Sequence, residues 1–331
     1  MRAILVKEVG DPDKVTVEEL ETPLPGPGEV LIDMKAAAVN FPDLLVVQGK
    51  YQLIPPVPFS PGKEGAGVVA ALGEGVTELK AGDRVMVQVE FGTYAEQLAT
   101  PVNCCYPMPD EIGFDEAAAV GVAFQTAHFA LIDRAHVKAG QTVLVTAATG
   151  SVGIAAMQLA KAFGCTVLAG VTTMSKADIA TENGADHIID LTVDNPRDSI
   201  RDQIKAATGG GVDVVLEIVG GQVFDGCLRA LNFRGSLVVV GFTGGEIASL
   251  KTNYALLKNI AVTGVNWSSY RDADPAWVRR VQDEIFEMCV RNKISMPVQA
   301  TFLMEDVVKA FNIIRKREVR GKLVIRMGRA D

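Results

Sequence analysis

A glycine-containing turn offers the clearest chemistry in this sequence. Residues 147–153 read AATGSVG; they follow the apolar run Val143–Thr146 and precede an alanine-rich stretch that we expect to be helical. Glycine lets a backbone approach a phosphate closely, and a helix N-terminus supplies N–H groups and a positive dipole end. The predicted residues of this dinucleotide-phosphate site are Thr149, Gly150, Ser151, Val152 and Gly153.

The glycine pattern in this turn is incomplete. Ala148 stands where the first glycine of GxGxxG would be, which leaves AxGxxG. An isolated match of this kind is weak, and the alternative is a glycine-tightened turn between a strand and a helix that holds no ligand. The surrounding alternation of strands and helices favours the dinucleotide site.

The end of the next strand indicates which dinucleotide would bind. In NAD-binding units an acidic residue about 20 residues after the turn binds the ribose 2′-hydroxyl, whereas here the first acidic residue is Asp178. Hydroxyls and one cation stand at the strand end instead: Thr172, Thr173, Ser175 and Lys176. These residues predict a 2′-phosphate site and therefore NADPH. The alternative for Lys176 is a solvated lysine at the start of a helix.

The elements that position this turn alternate regularly from about residue 120. Apolar strands separated by helices indicate an α/β fold with a doubly wound parallel sheet. The expected strands are residues 142–148, 166–172, 187–190, 212–219, 236–242 and 261–266. The expected helices are Val152–Phe163, Lys176–Asn183, Ser199–Ala207, Gln222–Leu231 and Asn253–Lys258.

The first 120 residues have a different texture. Short β-like runs alternate with proline and glycine, which predicts a small, mostly β domain. These runs are residues 3–9, 15–20, 29–39, 65–73, 83–89 and 94–100. The tail from about Asp274 predicts two amphipathic helices and a final strand, GKLVIRM.

Length and composition exclude several classes of protein. A chain of 331 residues favours two domains. The formal net charge of −8 argues against nucleic-acid or anionic-membrane partners. The N-terminus shows no secretory signal, and the uncharged stretch Gln141–Ala160 is too polar to span a membrane. Five cysteines without CxxC spacing predict free thiols and a cytoplasmic location.

Six segments together resemble the medium-chain dehydrogenase/reductase superfamily, and within it the zinc-free quinone oxidoreductase-like branch. These segments are residues 23–51, 58–76, 80–85, 138–164, 184–190 and 320–325. The resemblance implies a GroES-like β-barrel catalytic domain over residues 1–120 and 265–331. It also implies a Rossmann NADP-binding domain over residues 121–264.

The resemblance also allows zinc to be tested. Zinc-dependent relatives place a cysteine where this chain has Asn40 and a histidine where it has Lys63. An amide oxygen is a poor zinc ligand and an ammonium group repels the metal, so we expect no metal site. The three histidines lie elsewhere and are expected to be ordinary residues: His128, His136 and His187. Without a Lewis acid to stabilise an alkoxide, an electrophilic hydride acceptor is favoured, namely a quinone or an α,β-unsaturated carbonyl compound.

The family pattern assigns further site residues. Asn40 matches an asparagine near nicotinamide and substrate, and Tyr51 matches a pocket tyrosine that could donate a hydrogen bond or a proton. The alternatives are a turn residue and a packing tyrosine. Other cofactor contacts implied by the resemblance are Thr126, Gly241, Phe242, Val265, Trp267 and Lys322. Two residues depart from the family pattern. Asn266 stands where a bulky apolar residue is common, and Leu191 stands where many relatives have a tyrosine.

Two alternative functions remain open, and a third, a short-chain dehydrogenase, is disfavoured, so Tyr254 and Lys258 are expected to be ordinary helix residues. An enoyl-thioester (acyl-CoA) reductase would use the same hydride addition but needs a basic entrance, to which Lys50, Lys63 and Arg271 could contribute. A protein could also bind NADPH without turnover. A short-chain dehydrogenase would use Tyr254 and Lys258, but its glycine pattern is not met.

The expected partners are a small-molecule electrophile and a second copy of the chain. Relatives commonly pair the edge strands of their Rossmann sheets, and that edge would here be residues 261–266. The resemblance therefore implies a homodimer.

Overall fold

The computed structural model describes residues 1–328 as two compact units. The first unit comprises Met1–Val122 and the segment from Pro275 onward, and the second comprises Ala123–Asp274. The second boundary therefore follows Asp274 rather than residue 264, where the sequence suggested it. Residues 329–331, which were assigned to the first domain, lie outside the described residues.

The first unit is built mainly from strands. They are β1 (Arg2–Leu5), β2 (Thr16–Glu19), β3 (Glu29–Val39), β4 (Glu64–Leu72), β5 (Arg84–Gln88), β6 (Gln97–Pro101), β7 (Cys105–Pro107), β14 (Val298–Leu303) and β15 (Lys322–Arg326). Its helices are α1 (Phe41–Val47), α2 (Phe114–Ala119), α10 (Pro275–Val290) and α11 (Val307–Arg315). One seven-stranded sheet runs in the order β14-β15-β3-β4-β5-β7, with β6 paired to β3. This is the GroES-like arrangement that the resemblance implied.

Strand β3 is the centre of this sheet because it pairs with three strands, β4, β6 and β15. Two glycines on β4 allow the close approach to β3. A Cβ at Gly65 would lie 2.7 Å from the carbonyl oxygen of Ala36, and one at Gly67 would lie 2.4 Å from that of Asp33. Larger side chains at these two positions would force the strands apart.

The second unit carries a parallel sheet of six strands. They are β8 (Thr142–Val145), β9 (Thr166–Val171), β10 (His187–Asp190), β11 (Val212–Glu217), β12 (Leu231–Val239) and β13 (Ala261–Gly264). Its helices are α3 (Val122–His128), α4 (Ser151–Ala162), α5 (Ala177–Glu182), α6 (Pro196–Thr208), α7 (Gly221–Ala230), α8 (Asn253–Lys258) and α9 (Trp267–Ala273). A π-helical turn (Phe129–Arg134) follows α3.

The strand order is β10-β9-β8-β11-β12-β13, and every neighbouring pair is parallel. Counted from the first strand of the unit, this is the 3-2-1-4-5-6 order of the Rossmann fold. Central strands β8, β9 and β11 are apolar and buried along most of their length, as a sheet covered on both faces requires. The predicted fold class is confirmed.

Helix α9 explains why the second boundary differs from the expected one. The indole N–H of Trp267 donates to the side-chain oxygen of Gln125, and the Tyr270 ring stacks on Phe129 at a centroid distance of 4.1 Å. These contacts attach α9 to α3 and the turn that follows it.

Among residues 1–328, no helix is both long and apolar enough to cross a membrane.

Candidate functional site

Most site residues predicted for the second unit follow the carboxyl ends of its strands. Residues 149–153 follow β8, residues 172–176 follow β9, Gly241 and Phe242 follow β12, and Val265 and Trp267 follow β13. Because the strands are parallel, their carboxyl ends lie on the same side of the sheet, and these segments lie there together. Open parallel sheets bind their ligands outside the carboxyl ends of their strands.

The two glycines of the turn have different surroundings. Gly150 is the N-cap of α4 and has no side chain to accept a hydrogen bond from the first helical turn. A Cβ at Gly150 would have only the Ala147 carbonyl oxygen within 4 Å, at 3.4 Å, whereas a Cβ at Gly153 would lie 2.5 Å from that oxygen. Gly153 therefore lets α4 pack against the turn, and Gly150 leaves the space before the helix open.

A buried carboxylate, which the sequence did not suggest as a site residue, shapes the end of β11 next to this turn. Glu217 has no exposed surface, and its carboxylate accepts hydrogen bonds from the backbone N–H groups of Val219 at 2.9 Å and Gly220 at 3.0 Å. The Thr146 hydroxyl also donates to it at 3.2 Å. Burial raises the pKa of Glu217, while these hydrogen bonds oppose that rise. An acidic residue inside the apolar run VDVVLEIV was the available signal.

The residues predicted to bind a 2′-phosphate form a short turn after β9. Thr172, Thr173 and Ser175 are exposed, and Lys176 is half-buried at the end of a 3₁₀ turn. Leu191, at the position where many relatives have a tyrosine, is buried and its N–H donates to the Val171 carbonyl oxygen at 3.0 Å. The turn therefore offers hydroxyls and one ammonium group on the surface of the unit.

The remaining predicted contacts in the second unit differ in exposure. Thr126 lies on α3 with 8% of its surface exposed, and Phe242 is 40% exposed after β12. The N–H of Val265 donates to Val239 in the sheet at 3.1 Å. Trp267 is buried and donates to Gln125, so its indole N–H is already used within this unit.

In the first unit the structure brings together Asn40, Glu64 and Lys322. The Lys322 ammonium donates to the Asn40 Oδ1 and to the Glu64 Oε1, both at 2.7 Å. Asn40 Nδ2 donates to the same Glu64 oxygen at 3.1 Å, and Glu64 Oε2 accepts the backbone N–H of Val122 at 2.6 Å. Glu64 and Lys322 have no exposed surface, whereas Asn40 is partly exposed. Lys322 is a cofactor contact by the resemblance, and Glu64 is not among the expected site residues.

Asn40 is also held from the other side by Asp43, on the first turn of α1. The Asp43 Oδ2 accepts the backbone N–H of Asn40 at 2.8 Å and the Tyr94 hydroxyl at 3.0 Å. Its Oδ1 has no hydrogen-bond partner among the described residues. Burial raises the pKa of Asp43 to about 6, and the hydrogen bonds and the charge of Lys63 oppose part of that rise.

Tyr51 lies against Lys63, the residue at the position of a zinc ligand in relatives. The Lys63 ammonium is 4.7 Å from the centre of the Tyr51 ring and donates to the Glu90 carboxylate at 2.8 Å. Lys63 is only 4% exposed. At these positions the chain presents an ammonium group and an amide oxygen that already accepts a hydrogen bond, and this donor set does not fit a zinc ion. In residues 1–328 no three His, Cys, Asp or Glu side chains are grouped to hold a metal.

Tyr254 and Lys258 have separate partners. The Tyr254 hydroxyl accepts a hydrogen bond from Arg197 at 3.2 Å, and the Lys258 ammonium donates to the Arg229 carbonyl oxygen at the end of α7, at 2.7 Å. Both side chains thus connect α8 to neighbouring helices. This supports reading them as ordinary helix residues.

Two family comparisons cover most of the chain. Residues 26–127 match the family described as alcohol dehydrogenase GroES-like domain, and residues 151–282 match the family described as zinc-binding dehydrogenase. These ranges fall largely within the first and second units, respectively.

Individual proteins similar to this chain point in the same direction. Quinone oxidoreductase-like protein 2 homolog of Nematostella vectensis is 37% identical over 332 residues, which covers 98% of this chain and 88% of that protein. A mycobacterial quinone oxidoreductase superposes with a TM-score of 0.90 at 30% identity, covering 98% of this chain and 99% of the other. Escherichia coli quinone oxidoreductase complexed with NADPH superposes with a TM-score of 0.90 at 27% identity, covering 98% and 100%.

Proposed function

Because the chain belongs to the quinone oxidoreductase-like branch of the medium-chain dehydrogenase/reductase superfamily, we propose that it is an NADPH-dependent oxidoreductase acting on small electrophiles. Its substrates would be quinones or α,β-unsaturated carbonyl compounds. The observation that carries the proposal is the glycine N-cap of α4, Gly150, which follows the carboxyl end of the first strand of a 3-2-1-4-5-6 sheet.

The second unit fits NADPH in two places. The open space before Gly150 accommodates a pyrophosphate, whose charge the N-terminal end of α4 stabilises. Lys176 and the hydroxyls of Thr172, Thr173 and Ser175 provide groups that would bind a 2′-phosphate. Since the whole chain carries a net charge of −8, this anion site depends on such local groups. The solved Escherichia coli relative with NADPH supports the same cofactor.

When bound, NADPH supplies a hydride to the electrophilic carbon of the substrate. The chain contributes orientation and hydrogen bonding. Asn40 presents an amide N–H that would bind an acceptor oxygen, and Tyr51 would donate a hydrogen bond to the substrate oxygen or a proton to the enolate. The Lys63 ammonium packs against the face of the Tyr51 ring. Lys63 stands where zinc-dependent relatives have a histidine that binds the metal. We therefore propose catalysis without zinc.

A direct assay tests this proposal. NADPH oxidation is followed with a simple quinone, an enone and crotonyl-CoA, and NADH is compared as the reductant. Turnover of the quinone or enone with NADPH would support the proposal. Faster turnover of crotonyl-CoA would show an enoyl-thioester reductase, and NADPH binding without oxidation of any acceptor would contradict an enzymatic role.

The second unit also supports a homodimer. Strand β13 pairs with β12 on one edge and with no other described strand. On the preceding helix, Leu256 and Leu257 are 77% and 75% exposed, which is unusual for neighbouring leucines. A second copy paired edge to edge would cover both features.

All five cysteines are free thiols, which supports a reducing compartment such as the cytoplasm.

A further inference from the structure

We propose that Lys322 and Glu64 are positioning residues that fix the orientation of the Asn40 amide, and that Lys322 acts on the reaction through Asn40. This inference rests on the proposed function and deepens it, because a fixed amide determines which chemical group of a ligand Asn40 can bind. It differs from the expectation that Lys322 contacts the cofactor directly.

The charges of the two partners decide the amide orientation. The Lys322 ammonium has only donors, and it lies 2.7 Å from the amide oxygen of Asn40. The Glu64 carboxylate has only acceptors, and it lies 3.1 Å from the amide nitrogen. Rotating the amide by half a turn would place its nitrogen against the ammonium and its oxygen against the carboxylate. Both new contacts would be repulsive, so one orientation is selected.

Burial makes this selection strong. Lys322 and Glu64 have no exposed surface, so neither charge is screened by water. Each charge compensates the other, and the second oxygen of Glu64 accepts the backbone N–H of Val122 at 2.6 Å. Asp43 fixes the Asn40 backbone through the 2.8 Å hydrogen bond to its N–H. The side chain and the backbone of Asn40 are thus both held.

The selected orientation has a consequence for specificity. One N–H of Asn40 Nδ2 is used by Glu64, and the other makes no hydrogen bond to a described residue. Asn40 is partly exposed, so this second N–H is the group it can offer. A donor held in place favours an acceptor oxygen, such as the carbonyl of a quinone or enone, in the ligand.

A charge-neutral exchange separates positioning from folding. Lys322→Met alone would leave Glu64 as a buried charge without its counter-ion, which could unfold the protein. Lys322→Met combined with Glu64→Gln removes both charges and preserves volume. Lys322→Arg retains a donor and a charge, and Lys80→Met, at an exposed lysine of the same unit, is the matched control.

The first readout is kinetic, with NADPH and an enone. The neutral double variant is expected to lose about 10- to 100-fold in kcat, the typical effect of removing a supporting hydrogen-bond partner. KM for NADPH should change less than about threefold, and adding Asn40→Ala should cause no further loss because the residues act as one unit. Lys322→Arg should recover part of kcat. The proposal would be overturned if the kcat losses of the double variant and of Asn40→Ala multiply when the substitutions are combined. It would also be overturned if KM for NADPH rises while kcat is unchanged.

The second readout needs no turnover. In ¹⁵N-labelled protein without ligand, the side-chain amide signals of Asn40 are assigned by their loss in Asn40→Ala. Both signals should shift in the neutral double variant, and their exchange with water should become at least about tenfold faster. Unchanged signals would overturn the positioning role even in an active enzyme. If the wild type reduces no electrophile, the proposed function fails, while these signals still decide whether the amide is held.

Discussion

The ammonium group of Lys63 lies 4.7 Å from the centre of the Tyr51 ring and is paired with Glu90. A cation is thus packed beneath an aromatic ring where zinc-dependent relatives carry a metal ligand. Lys63→Met should lower the free energy of unfolding by about 1–3 kcal/mol, because Glu90 loses its ion-pair partner and the ring loses a cation–π contact. Urea unfolding measures this change.

Tyr51→Phe is the matched variant for this pair, since it keeps the ring over Lys63 and removes only the hydroxyl. Its stability should remain close to that of the wild type, while kcat should fall if the hydroxyl donates to the substrate. Loss of stability without loss of kcat would reverse the assignment and make Tyr51 a packing residue.

The two glycines of the turn should respond differently to alanine. At Gly150 a methyl group fits the backbone but occupies the space before α4, so Gly150→Ala should keep the melting temperature and weaken NADPH binding about tenfold or more. At Gly153 a methyl group meets backbone atoms 2.5–2.7 Å away, so Gly153→Ala should lower both the melting temperature and the affinity for NADPH. Thermal unfolding and NADPH fluorescence titration measure the two effects. Equal NADPH affinity in Gly150→Ala and wild type would argue against a phosphate at this position.

Asp43 predicts a pH dependence of stability with a definite sign. Its pKa is raised by burial to about 6, from the ordinary value of 3.8. Between those pH values the folded state holds the proton that the unfolded chain releases, so this group lowers stability as pH rises from about 4 to 6. The cost above pH 6 is about 2–3 kcal/mol.

Asp43→Asn removes this titration. Relative to wild type, its free energy of unfolding should therefore rise by about 2–3 kcal/mol between pH 4 and pH 7 in urea titrations. Asp194→Asn, at an exposed aspartate, serves as the control. A constant difference between Asp43→Asn and wild type across this range would contradict the buried, proton-binding carboxyl group.

Lys176 predicts the choice between the two nicotinamide cofactors. Lys176→Ala should raise KM for NADPH about tenfold, because the proposed 2′-phosphate site loses its cation, and should leave KM for NADH nearly unchanged. Lys205→Ala, at an exposed lysine of α6 in the same unit, controls for a general change of surface charge. A parallel change of both Michaelis constants would assign the 2′-phosphate to other residues.

The exposed leucines of α8 predict the oligomeric state. The wild type should scatter light as a dimer of the 35.2 kDa chain, and Leu256→Asp with Leu257→Asp should yield a monomer. Leu24→Asp, at an exposed leucine of the first unit, should leave the dimer intact. A monomeric wild type at micromolar concentration would refute the dimer.

The sheet of the second unit was predictable because each of its strands is a compact apolar run, whereas helices α3 and α9 are not among the expected helices. Helix α8 has the expected bounds, and α4 and α7 each begin and end within one residue of the expected positions. Strand β12 begins at Leu231 rather than residue 236, because the polar segment before it still pairs with β11 through an irregular register. In the first unit, β14 and α1 were not foreseen, since their short apolar stretches have no distinctive spacing.

Candidate site residues stand out in the sequence where the signal is local, and they do not where it depends on long-range contacts. Gly150 and Gly153 stand out because their spacing is local, and their role at a phosphate stays a prediction. Glu64 and Lys322 are 258 residues apart in the chain, and only the pairing of β15 with β3 and of β3 with β4 brings them together. No local pattern marks such a pair, so the resemblance alone indicates only a cofactor contact for Lys322.

The most direct test of the central claim follows a labelled hydride. The protein is incubated with NADPH deuterated at the nicotinamide C4 position and an enone, and the product is examined by mass spectrometry and NMR. Hydride transfer from NADPH should place one deuterium at the β-carbon of the reduced product, with the second added hydrogen taken from solvent. Reduced product without deuterium, or no reduced product with any acceptor despite NADPH binding, would contradict it.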